Sequence, residues 1–155
     1  MPRSAGMKLH HLGVQTTDID NCLEWYLEFF GAQKEWQLDH FSELTQRRLP
    51  GIRRLVEISA GDVRIHLFDR AGHSEMQPDP NGFIFQHVCV SVSSPEELGE
   101  MRSKWIELYE SGRFSFASTE QPTEIVVDDE GVQSLYVYDV NGLEYEISYM
   151  PEGTR

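Results

Sequence analysis

Imidazole nitrogens and carboxylate oxygens are the usual side-chain ligands of divalent transition metals. His11, His66, His87 and Glu146 offer three of the first and one of the second. Each lies within an alternating apolar stretch. In HLGVQ, Leu12 and Val14 share one face, and His11, Gly13 and Gln15 share the other. In VRIHLF, Val63, Ile65 and Leu67 stand opposite Arg64 and His66. In HVCVSV, Val88, Val90 and Val92 stand opposite His87. In LEYEI, Leu143, Tyr145 and Ile147 stand opposite Glu144 and Glu146. The four candidates thus occupy strand faces turned away from the apolar, helix-packing side. Curved sheets that brought those faces together would surround one divalent transition metal, such as Zn, Fe, Ni, Co or Mn. His10 is the alternative to His11, but it shares its face with Leu12 and Val14.

The elements that must position these residues occur twice. HLGVQTTDIDNCLEW at 11–25 and HVCVSVSSPEELGEM at 87–101 each open with a histidine in an alternating strand. Each reaches a helix-starting polar residue seven positions later, Asp18 or Ser94, and an acidic amphipathic helix follows. In the first half, the pattern predicts a strand over 8–16, a helix from Asp18 to Gly31 and a strand over 33–39. A polar loop over 40–52 follows. Strands at 55–59 and 63–68 are joined by the hairpin signal Gly61-Asp62. Residues 70–82 read as a linker. In the second half the expected elements are a strand over 84–92, a helix from Ser94 to about 111, and strand candidates at 113–118 and 123–128. A hairpin of 134–138 and 143–149 around Asn141-Gly142 closes it. The fold class is α+β: two β-α-β-β-β modules forming one open, eight-stranded, barrel-like cleft. Residues 1–155 make a single domain, with module one over about 7–70, the linker over about 70–82 and module two over about 83–150.

Composition excludes several function classes. Thirteen Lys and Arg stand against 26 Asp and Glu, a net charge of −13, which repels phosphate backbones and anionic membranes. No apolar run approaches the ~20 residues of a membrane span, and MPRSAGMKLHH lacks a signal-peptide core. A soluble cytoplasmic protein with no nucleic-acid or membrane partner is expected. Cys22 and Cys89 are too few for a disulfide framework. Cys89 shares the face of His87, where it either lines the pocket or packs as a small thiol. Trp25, Tyr26, Phe29 and Phe30 read as helix core, Asp128-Asp129-Glu130 as a solvated turn, and His40 and His73 as loop residues. Arg64, on the face of His66, could meet an anionic substrate group. Glu43, Glu57 and Glu144 form a pool of further bases, and the sequence does not choose among them.

Three stretches carry a family resemblance. HLGVQTTDIDNCLEWYLEFFGA at 11–32, QHVCVSV at 86–92 and YVYDVNGLEYEISY at 136–149 resemble the vicinal oxygen chelate superfamily. That superfamily includes glyoxalase I, methylmalonyl-CoA epimerase, extradiol dioxygenases, and fosfomycin- and bleomycin-resistance proteins. The layout is most similar to methylmalonyl-CoA epimerase. The resemblance implies that His11, His66, His87 and Glu146 hold the metal, with His66 at the position that varies among members. It also implies a homodimer, and Glu146 as a base that takes a proton next to a carbonyl. The expected function is a metal-dependent isomerase or epimerase of a small carbonyl compound: a hydroxyketone, a sugar- or cyclitol-like molecule, or an acyl thioester. The alternatives are an Fe(II)-dependent extradiol-type dioxygenase using His11, His87 and Glu146, and a non-catalytic, drug-sequestering protein.

Overall fold

Alternating apolar residues and well-placed caps produce the expected repeat. The computed structural model describes residues 6–72 and 79–154, so His73 lies outside the described residues. The chain order is β1 (Leu12–Thr16), α1 (Ile19–Phe30), β2 (Gln33–Leu38), α2 (Glu43–Arg48), β3 (Ile52–Ala60) and β4 (Val63–Arg70), then β5 (Val88–Val92), α3 (Pro95–Glu110), β6 (Val126–Val127), β7 (Gln133–Tyr138) and β8 (Glu144–Tyr149). The strands make two four-stranded sheets, β1-β4-β3-β2 and β5-β8-β7-β6. In each, the first strand runs parallel to the last and the other pairs are antiparallel. The two sheets are not closed on each other, and among the described residues no strand of one pairs with a strand of the other.

The differences from expectation have physical causes. Segment 40–52 is not all loop. Ser42 caps a short helix, its side chain accepting from the Thr45 N–H, and none of that helix's residues is buried. With no apolar period, it left no signal in the sequence. The 113–118 segment forms no strand; it folds back on the last hairpin, where the Ala117 N–H donates to the Val140 carbonyl at 2.8 Å. β1 and β5 begin at Leu12 and Val88 rather than near 8 and 84. Leu12 pairs with Ile65 and Val88 with Tyr145. Continued backwards, that register runs residues 8–9 and 84–86 past the first residues of β4 and β8. Their strands therefore have no ladder to join within the module.

The helices occupy the space between the modules. α1 packs on β3, β4 and α3, and α3 packs on β5, β7 and β8. Asp18 caps α1 by accepting from the Asn21 N–H, and Gly31, at φ 61°, ends it in a conformation that favours glycine. The buried face of α1 is Ile19, Cys22, Trp25, Tyr26 and Phe29, and α3 contributes Leu98, Trp105 and Leu108. Burial of each large side chain contributes about 1.5–3 kcal/mol. Among the described residues no helix is long and apolar enough to cross a membrane.

A buried polar cluster joins the modules through this core. Asp139, 1% exposed, sits at the β7–β8 turn. It accepts from the Tyr26 hydroxyl of α1, from the Asn141 and Leu143 N–H groups at 2.8 Å each, and from Asn141 Nδ2 at 3.0 Å. Tyr145 Oη lies 2.9 Å from Tyr26 Oη, and the Thr16 hydroxyl of β1 donates to Asn141 Oδ1 at 2.6 Å. Burial pushes the Asp139 carboxyl above its ordinary range, and the hydrogen bonds from Tyr26, Leu143 and Asn141 only partly offset it. Tyr26→Phe should lower the unfolding free energy by about 1.5–3 kcal/mol in urea titrations. The raised carboxyl means that the folded state holds a proton that the unfolded state releases. Stability should therefore fall as pH rises from about 4 through the folded value. Asp139→Asn should remove that slope, and equal slopes in both proteins would refute the assignment.

Candidate functional site

The candidate ligands form two pairs, one on each sheet. In module one, Gly13 lies opposite His66 in the parallel β1–β4 register. This places the ring of His11, two residues before Gly13, over that of His66. The rings stack, with centroids 3.7 Å apart and planes at 13°. The two-residue turn at Gly61-Asp62 sets Ala60 opposite Val63 and hence Glu57 opposite His66. His66 Nε2 lies 2.9 Å from Glu57 Oε1, and Arg64 Nε lies 3.6 Å from the same oxygen. The Trp36 side chain also hydrogen-bonds this carboxylate. Burial alone would raise the Glu57 carboxyl. The hydrogen bond to His66, the Arg64 guanidinium and the Trp36 bond override it and hold the group below the ordinary carboxylate range. An ionised acceptor requires a proton on the nitrogen that faces it. His66 Nε2 is therefore the donor, and in the neutral ring Nδ1 carries the lone pair.

His11 Nδ1 lies 2.8 Å from His10 Nδ1, which leaves His11 Nε2 uncommitted. Burial, then the nearby His66 and His10, push the His11 imidazole below its ordinary value, which favours the neutral, metal-binding form. Arg64 faces His10 Nε2 at 3.2 Å as well as Glu57, so its guanidinium serves the protein's own groups.

In module two, Cys89 lies opposite Glu146 in the parallel β5–β8 register. His87 Nε2 lies 3.2 Å from Glu146 Oε1. The other carboxylate oxygen is anchored: Glu146 Oε2 accepts from the Ser134 hydroxyl at 3.2 Å and the Ser148 hydroxyl at 3.1 Å. Both serines are buried. Gln86 fixes the tautomer of His87. Its Nε2 donates to Glu144 Oε2 at 2.7 Å, which turns its carbonyl oxygen to His87 Nδ1. With the proton on Nδ1, the Nε2 lone pair faces a carboxylate oxygen. Two acceptors at 3.2 Å require a positive charge between them, either a second proton on the ring or a metal ion. Two ligands about 2.1 Å from one ion, at angles of about 90–109°, stand about 3.0–3.4 Å apart. The 3.2 Å separation of the pair falls in that range.

The remaining candidates sort by their surroundings. Glu43 opens the exposed α2, Glu144 is bonded by Gln86, and Glu57 is held by two donors, His66 and Trp36, and by the Arg64 charge. Glu146 has one oxygen held by Ser134 and Ser148 and the other facing His87. Burial raises the Cys89 thiol, whose Sγ lies 3.6 Å from Ser148 Oγ, so it is no thiolate. His40 is exposed and faces Asp39. Gln86, Ser134, Ser148 and the pairing of Glu57 with His66 escaped the sequence reading. The hairpin register would have given Glu57, and spacing of two along β8 would have given Ser148.

The two pairs do not converge within one chain. Among the described residues no three His, Cys, Asp or Glu side chains form a group able to hold a metal ion. Each pair lies beside large exposed apolar side chains: Met7 and Leu9 precede His11, and Phe83 and Phe85 precede His87 with essentially full exposure.

A family model described as the glyoxalase/bleomycin resistance protein/dioxygenase superfamily matches residues 8–104. No curated protein matches the chain. Among solved structures, a glyoxylase/bleomycin resistance protein/dioxygenase domain from Frankia sp. EAN1pec is 16% identical with a TM-score of 0.73, over 96% of this chain and 95% of that one. Lactoylglutathione lyase from Agrobacterium tumefaciens is 20% identical with a TM-score of 0.59, over 96% of each chain. The fosfomycin resistance protein FosX from Listeria monocytogenes, complexed with Mn(II) and sulfate, is 12% identical with a TM-score of 0.58, over 94% and 93%. These structures share the fold.

The Glu57–His66 contact yields a direct test. In imidazole nitrogen NMR of the native protein, His66 should show a protonated Nε2 and a bare Nδ1. Glu57→Ala should shift the ring toward a mixture of tautomers, and an unchanged spectrum would separate the two residues functionally.

Proposed function

The chain belongs to the glyoxalase/bleomycin resistance protein/dioxygenase superfamily, and on that footing we propose a metal-dependent isomerase or epimerase that transfers a proton next to a carbonyl. The substrate class is a small carbonyl compound: a hydroxyketone, a sugar- or cyclitol-like molecule, or an acyl thioester. The observation that carries the reading is the facing of His87 Nε2 and Glu146 Oε1 across 3.2 Å, with Nδ1 and Oε2 already committed elsewhere. His11, His66, His87 and Glu146 would hold one divalent transition metal. When bound, the metal polarises a carbonyl oxygen as a Lewis acid and stabilises the negative charge that develops there.

The residues of the chain do the rest. Ser134 and Ser148 hold one oxygen of Glu146, so that the other can accept a proton from the carbon next to the carbonyl and return it. Glu57 orients His66, and Gln86 orients His87, each by taking the ring proton on the side away from the ligand nitrogen. Burial, then the charge of Glu146, raise the Tyr136 phenol, which keeps it protonated beside that carboxylate.

A second copy completes the ligand set in this reading. The His11–His66 pair of one protomer meets the partner's His87 and Glu146, giving two sites per homodimer. This accounts for the outward faces of the pairs, the exposed Leu9, Phe83 and Phe85, and the unladdered segments that precede β1 and β5.

Elemental analysis should find one divalent metal per chain. His11→Ala, His87→Ala and Glu146→Ala should be folded but metal-poor, whereas His40→Ala should retain native metal. With a panel of α-hydroxyketones and acyl thioesters in D2O, the native protein should introduce deuterium at the α-carbon. The exchange should stop on chelation, and in Glu146→Ala it should fall at least about a hundredfold. Oxygen uptake with a catechol and no exchange would replace this reading with the dioxygenase. Metal-free native protein would leave the binding protein.

A further inference from the structure

A cleft of about 350 Å³ opens on the helix side of the sheets, away from the candidate ligands. Its walls are Phe30 at the end of α1, Ile58 and Ile65 of sheet one, Val90 of β5 and Met101 of α3. Strand alternation separates it from the ligand faces, because Ile65 and Val90 point opposite to His66 and Cys89. The volume lies in the range of about 300–1,000 Å³ that small-molecule sites occupy.

The cleft exists because the two modules differ at one place. In module two the corresponding space lies between the end of α3, the β7–β8 turn, β1 and α1, and it is filled. Val140 of the turn is 4% exposed, Asn141 bonds Thr16 and Cys22, and the chain beyond α3 folds back to bond the Val140 carbonyl. In module one, α1 ends at Gly31 and the chain passes directly into β2, while β3 turns into β4 over Gly61-Asp62. A Cβ placed on Gly31 or Gly61 would meet nothing within 4 Å. The short turn leaves an apolar space that no described part of the chain enters.

The charge of the lining selects the occupant. Two carboxylates, Glu97 and Glu100, belong to it, and no Lys, Arg or His does among the described residues. Glu97 is fixed there, since its Oε2 accepts from the Ser93 N–H at 2.9 Å. Glu100 is exposed, on the same side of α3 one turn from Glu97. The net charge of −13 adds to the same preference for cations. We propose that this cleft binds an amphiphilic cation, with a hydrocarbon body between the modules and an ammonium head at Glu97 and Glu100.

The test is calorimetric titration of chelator-treated, metal-free protein with dodecyltrimethylammonium below its micelle concentration, with dodecyl sulfate as the counterpart. This makes the result independent of the proposed metal site. The expected result is saturable binding of one dodecyltrimethylammonium per chain and weaker or no binding of dodecyl sulfate. Glu97→Gln/Glu100→Gln should bind the cation about tenfold more weakly, the effect of two partly screened charges. Ala60→Phe, which fills the cleft from its wall, should abolish binding in protein shown to be folded by circular dichroism. Equal affinity for dodecyl sulfate, native affinity in the double glutamine protein, or no saturable binding of the cation would overturn the proposal.

Discussion

The buried carboxylate of Asp139 is the constraint on which the rest of the structure depends. A carboxylate in an apolar core is costly unless donors surround it, and here four converge from two modules. Tyr26 comes from α1, and the others come from the turn that Asp139 itself begins. The donors can meet only if α1 lies against the β7–β8 turn, and that fixes α1 between the sheets beside α3. The apolar side chains of both sheets then face inward onto the helices. By strand alternation, the polar side chains at the intervening positions must face outward. The orientation of His66 and Glu146 is therefore a consequence of how the core is clasped.

The same arrangement explains why each half-site is finished locally. His66 is oriented by Glu57 from the neighbouring strand, and Glu146 by serines on its own hairpin. His87 is oriented by the residue before it. Each module thus presents one pair of candidate ligands, His11 with His66 and His87 with Glu146. The repeat permits this because β4 and β8 stand in equivalent places, so His66 and Glu146 occupy matching positions beside His11 and His87.

Much of this was legible in the sequence, for local reasons. Asp18, Gly31, Gly61-Asp62 and Asn141-Gly142 are caps and turns whose conformations belong to the residues themselves, and the strands between them alternate cleanly. α2 was not legible because it buries nothing. The starts of β1 and β5 were set by where β4 and β8 begin, a tertiary fact. Alternation gave the faces of His66 and Glu146, which lie within β4 and β8; His11 and His87 precede β1 and β5, and His10, which alternation placed on the opposite face, contacts His11 and Arg64. The division of the candidate ligands into two pairs did not follow from alternation, since it depends on how the Asp139 cluster joins the modules. Tyr26 shows the limit well: among four aromatic residues it reads as core, and its hydroxyl finds its partners, Asp139 and Tyr145, only in the second module.

The central claim is that each metal centre takes its ligands from two chains, and subunit complementation tests it most directly. His11→Ala and His87→Ala chains, carrying different tags, are co-expressed and the mixed dimers purified. Each parent dimer lacks one ligand at both sites. In a mixed dimer, one site combines both substitutions and the other has neither. The account predicts that purified mixed dimers regain about half the native metal content, one intact site of two, together with metal-dependent α-proton exchange. Mixed dimers as metal-poor as either parent would contradict it, because a site built within one chain cannot be restored by a neighbour.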